Sequence, residues 1–197
     1  MKCARIALAA AFLLIVTSAF AEPITYLGTL TGSAEVPPTG SPGSGSVLVT
    51  FDLAAHILTV SATFANLVSN TTAAHIHCCT ALPFSGNAGV ATQTPSFALF
   101  PLGVTSGSFS QTLNTALASS YNPAFVSMFA GGVPAAEAAI STGLAAGTTY
   151  FNIHTTMFPG GEIRALLVAA VPEPSTIGLI GAGLVGIVIL VRTRYMA

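Results

Sequence analysis

Two short runs leave this chain few alternatives to a β-hairpin. Val47, Val49, Phe51 and Leu53 alternate with Leu48, Thr50 and Asp52. Leu58, Val60, Ala62 and Phe64 alternate with Thr59, Ser61 and Thr63. A period of two sends each apolar set to one face of an extended strand. The link Ala54-Ala55 is short, so the two strands pair. Further extended segments are expected at Ala73–His77, Phe97–Leu99 and Ser106–Leu113. A last pair, Thr148–His154 and Glu162–Val168, flanks the turn Pro159-Gly160-Gly161. Thr31–Ser46 and Cys78–Pro95 read as loops. Pro123–Ala130 and Pro134–Ala145 read as helices, with Pro at each start and Ala-rich interiors. Many short strands with one helical excursion predict a mainly β domain, an antiparallel sandwich or barrel.

The two ends of the chain follow a different pattern. Met1-Lys2-Cys3-Ala4-Arg5 precedes an apolar run from Ile6 to Val16, and Ala19-Phe20-Ala21 follows. A cationic start, a short apolar stretch and small residues before a cut are the parts of a signal peptide. We place that helix at 1–21. At the other end Val171-Pro172-Glu173-Pro174-Ser175 opens an uncharged apolar run, Thr176–Val191, closed by Arg192 and Arg194. As a helix it would be about 24 Å long, slightly short of a bilayer core. The sequence therefore predicts a C-terminal transmembrane helix within 171–197, cytoplasmic at its basic end. On this reading the protein is exported, and is anchored transiently in the inner membrane.

Between these ends lie residues 22–170, the size of one domain. The whole chain has only 6% charged residues and a mean hydropathy of +0.79. In the middle, Glu22, Glu35, Asp52, Glu137 and Glu162 stand against Arg164 alone. So sparse and acidic a surface excludes nucleic acid as a partner. Cys78 and Cys79 are neighbours and cannot staple distant segments, so the fold rests on its core. No nucleophile elbow, phosphate loop, dinucleotide fingerprint or HExxH helix is present. The expected protein is not an enzyme.

The few ionisable groups converge in the pattern. In Ala74-His75-Ile76-His77 both histidines share one strand face and Ile76 takes the other. In Tyr150-Phe151-Asn152-Ile153-His154, Asn152 and His154 share a face opposite Phe151 and Ile153. Glu162 and Arg164 likewise oppose Ile163. If the strands are neighbours, His75, His77 and His154 form a candidate metal site suited to Cu or Zn. Cys78 and Cys79 would be weaker candidate ligands at its edge. The same residues could instead make a structural polar cluster of Asn152, Glu162 and Arg164 with the histidines, hydrogen-bonded around the Pro159-Gly160-Gly161 turn. His56 has no evident partner and reads as a surface turn residue.

Two resemblances attach to these residues. Val171-Pro172-Glu173-Pro174-Ser175, the Gly-rich apolar run and the basic end resemble the PEP-CTERM sorting signal of bacterial exported proteins. That resemblance implies recognition by an exosortase-type membrane protease and delivery to the cell surface. Gly32-Ser33-Ala34-Glu35-Val36-Pro37-Pro38, Ala74-His75-Ile76-His77, Tyr150 to Thr155 and Pro159 to Arg164 resemble the CHRD domain. It implies a β-rich extracellular module without an established catalytic residue. Cys78-Cys79 and Ala165 depart from the Gly-rich stretch and the Gly that the family usually has there. A fainter likeness joins His75-Ile76-His77 and His154 to copper/zinc superoxide dismutase, whose bridging His and zinc loop are absent here. The expected partners are thus the protease, the membrane through the C-terminal helix, and extracellular polysaccharide or matrix proteins.

Overall fold

The expected hairpin forms within a single sheet, towards one of its edges. The computed structural model describes residues 22–170. In chain order the elements are β1 (Ile24–Thr31), β2 (Ser44–Asp52), β3 (Ile57–Ala65), β4 (Thr71–Cys78), β5 (Gly107–Asn114), α1 (Pro123–Ser127), α2 (Gly132–Ala146), β6 (Thr149–Thr155), β7 (Ile163–Leu166) and β8 (Val168–Ala169). In β2 and β3, Val49 pairs with Val60 and Phe51 with Leu58. All four are buried, as the alternation requires. Burial of each such side chain stabilises by about 1.5–3 kcal/mol.

The strands run in the order β4-β6-β7-β1-β2-β3-β5, with β8 beside β1. This corrects the sandwich-or-barrel expectation. There is one sheet, its edges β4 and β5 do not pair, and it curls part-way towards closure. The reason is visible in its aromatic contacts. Phe97 lies 5.3 Å from Phe109 on β5 and 6.2 Å from Phe151 on β6, centroid to centroid. Those strands sit near opposite ends of the sheet, and one buried ring bridges them. Phe97–Leu99 is accordingly a turn carrying this plug and not a strand. Ile140 and Leu144 of α2 join the same core.

Strand β1 sets Ile24, Tyr26 and Leu30 against Thr25, Thr29 and Thr31, and Gly28 stands in the inward series between buried Tyr26 and Leu30. A Cβ there would sit 2.8 Å from both Ala165 Cβ and Leu166 O. The missing side chain lets β1 approach the β7–β8 strand closely.

The signal helix expected over 1–21 and the transmembrane helix expected over 171–197 lie outside the described residues. Among the described residues no helix is long and apolar enough to cross a membrane. Nothing among the described residues therefore bears out the transmembrane element, the membrane as a partner through it, or the inner-membrane anchoring drawn from it.

Candidate metal centre

Strands β4, β6 and β7 are neighbours, and their register stacks the polar positions. His75 is opposite Asn152, which is opposite Arg164. His77 faces Tyr150, and Ala73 faces His154. The intervening Ala74, Ile76, Phe151, Ile153, Ile163 and Ala165 all enter the hydrophobic core. The polar face is covered too, by the loops that carry Glu35, Gly86, Ala88, Pro95 and Pro159. His75, His77 and His154 are only 6–8% exposed, and Asn152, Glu162 and Arg164 less. Both faces of these three strands are thus interior.

Each histidine spends one ring nitrogen on a backbone carbonyl. His75 Nε2 lies 2.8 Å from Pro95 O, His77 Nδ1 2.9 Å from Ala88 O, and His154 Nδ1 2.9 Å from Pro159 O. A carbonyl only accepts, so these nitrogens carry the hydrogen. Burial disfavours the second proton. It lowers the pKa of His75 to about 4, that of His77 to about 3, and that of His154 in the same direction. Three neutral rings remain, each with a lone pair on its other nitrogen. His75 Nδ1 is buried with no partner. His77 Nε2 and His154 Nε2 are 3.4 Å apart, two acceptors facing one another. One ring nitrogen from each of the three lies within 4.8 Å of the others. Two ligands at the usual metal distance are about 3.3–3.6 Å apart, so the His77–His154 pair already has the spacing of ligands to one ion.

The surroundings hold these rings in place. Tyr150 stacks on His77 at 4.7 Å, and Arg164 lies 4.2 Å over the Tyr150 ring. The Tyr150 hydroxyl hydrogen-bonds Ala88, the residue whose carbonyl orients His77. Arg164 donates through Nε to Glu35 Oε2 at 2.8 Å, and also to Gly86 O and Asn87 Oδ1. Glu162 does not pair with Arg164. Its carboxylate accepts from Ser41 Oγ, the Val68 amide and Thr155 Oγ1 at 2.6–2.7 Å, tying three chain segments together. Asn152 Nδ2 makes one long bond to Gly160 O.

Several of these placements could not be read from spacing. Glu35 is the buried partner of Arg164 across 129 positions, and Tyr150 is the ring platform under His77. Cys78 and Cys79 are bonded to each other. Their sulfurs face α2, where a Cβ on Gly143 would lie 2.7 and 3.0 Å from them. They are outside the histidine cluster, and a disulfide sulfur is no thiolate ligand. His56 is also not an isolated turn residue. Its Nδ1 lies 2.9 Å from both oxygens of buried Glu137 on α2, which also accepts from Thr115 Oγ1. This pins the β2–β3 turn to the helix.

A family model for the CHRD domain matches residues 26–167. The chain belongs to the CHRD family. A second model, the PEP-CTERM protein-sorting motif, matches residues 170–194. No curated protein and no solved structure matches the chain. The pairing makes this an exported CHRD-domain protein bearing a sorting motif, and that motif implies an exosortase-type protease as its processing partner. The sorting residues Val171, Pro172, Glu173, Pro174 and Ser175 lie beyond the described residues.

Proposed function

We propose that this exported protein is a non-enzymatic surface module whose CHRD domain holds one copper or zinc ion on His75, His77 and His154. The observation that carries the reading is the meeting of three unprotonated ring nitrogens in a buried site. His75 Nδ1 has no partner, and His77 Nε2 faces His154 Nε2. Without an ion, the site leaves buried acceptors unsatisfied, which costs about 1–3 kcal/mol each. With one, the three carbonyl hydrogen bonds become the outer contacts that fix ligand orientation. Imidazole nitrogen suits copper and zinc, whereas calcium and magnesium take oxygen ligands.

Reconstitution of the purified full chain followed by elemental analysis tests this. One equivalent of copper or zinc is expected, with a rise in thermal midpoint; binding at about 100 times Kd is worth about 2.7 kcal/mol. His77→Ala should abolish both. Absence of stoichiometric metal with an unchanged midpoint would sink the reading. The sorting part has its own test. Deletion of 171–197 should remove the protein from the cell surface in fractionation, and unchanged surface level would refute it.

A further inference from the structure

We infer that the ion this site is built for is copper(I), bound by three nitrogens with no fourth protein ligand. The inference rests on the metal reading above and specifies the ion's charge and coordination. The first argument is ligand number. Among the described residues the cluster holds three histidines and no carboxylate or thiolate within reach. Zinc in structural sites takes four protein ligands, and on three histidines it needs a water in the fourth position. A closed-shell monocation such as copper(I) is satisfied by three.

The second argument is charge. The donors are neutral imidazoles, so the ion brings its whole charge into the interior. Born desolvation scales with the square of charge, so a dication costs about four times as much as a monocation. Among the described residues no carboxylate joins the three ring nitrogens, and the carboxylate of Glu35 is already paired with Arg164 at 2.7 Å. Nothing at the cluster offsets the second charge of a dication.

The test is a competition on the purified full chain. Copper(I), kept reduced by ascorbate without oxygen and buffered by a chromophoric chelator, is offered together with zinc(II). One copper per chain is expected, with less than about a tenth displaced by a roughly tenfold excess of zinc. Copper K-edge absorption should report a three-coordinate shell of nitrogen donors. The double variant C78S/C79S should bind copper unchanged, because those sulfurs lie outside the cluster. Preferential retention of zinc, a fourth ligand, or sulfur in the copper shell overturns the inference while leaving a metal site intact. If neither metal binds, the metal reading itself falls, and this inference with it.

Discussion

The two halves of the sheet use the same alternation to opposite ends. In β2, β3 and β5 the non-core face meets water. It carries hydroxyls that bond across strands, Ser46 with Thr63, Thr59 with Thr112 and Ser61 with Ser110. In β4, β6 and β7 the equivalent positions hold His75, His77, Asn152, His154 and Arg164, all buried under loops. An exposed polar face is nearly free of constraint, because water satisfies whatever the protein does not. A buried one must find its partners inside the protein, and each orphan such as His75 Nδ1 is costly. His75, His77, His154, Glu35, Glu162 and Arg164 are therefore placed where burial makes their positions matter.

That contrast can be broken in a graded way. The largest effect is expected from Arg164→Ala, which leaves the Glu35 carboxylate buried and unpaired. A loss of about 3–5 kcal/mol in urea unfolding is the expectation, and a loss under about 1 kcal/mol would mean that this layer behaves like a surface. Next comes pH. The folded-state pKa values of His75 and His77, about 4 and about 3, lie below the ordinary 6.5. The unfolded chain then binds more protons between those values. Unfolding free energy of the metal-free protein should be greatest above about pH 6.5 and fall as pH drops towards 4. A flat profile across that window would show that the rings are not buried neutral. Glu162→Gln should cost about 2–3 kcal/mol, since an amide nitrogen must face one of the three donors. The smallest change belongs to the open half. Thr59→Ala should shift stability by less than about 0.5 kcal/mol. A larger loss would give the hydroxyl rows a structural weight that solvent exposure denies them.

Alternation alone separates Ile76, Phe151, Ile153 and Ile163 from His75, His77, Asn152 and His154, because side-chain direction in a strand follows from local geometry. It does not say that β4 and β6 are neighbours, since strand pairing depends on the whole topology. Nor does it show that loops cover the polar face. Glu35 and Arg164 meet across 129 positions, and His56 and Glu137 across 81. Such partners leave no periodic trace. Strand β1 does alternate, with Tyr26 and Leu30 inward, but the role of Gly28 between them shows only in its contact with Ala165 and Leu166. The curl of the sheet depends on Phe97, whose partners Phe109 and Phe151 are remote in sequence.

What the sequence determined by itself was local and modular. It set the β character of the middle, the face each side chain takes, and the sorting motif at 170–194. These rest on short-range pattern. Only the tertiary structure decided that the sheet is single and curled, that the disulfide lies apart from the histidines, and that three ring nitrogens converge. Those outcomes depend on long-range packing, which buries both faces of β4, β6 and β7 and so turns a polar stripe into a site.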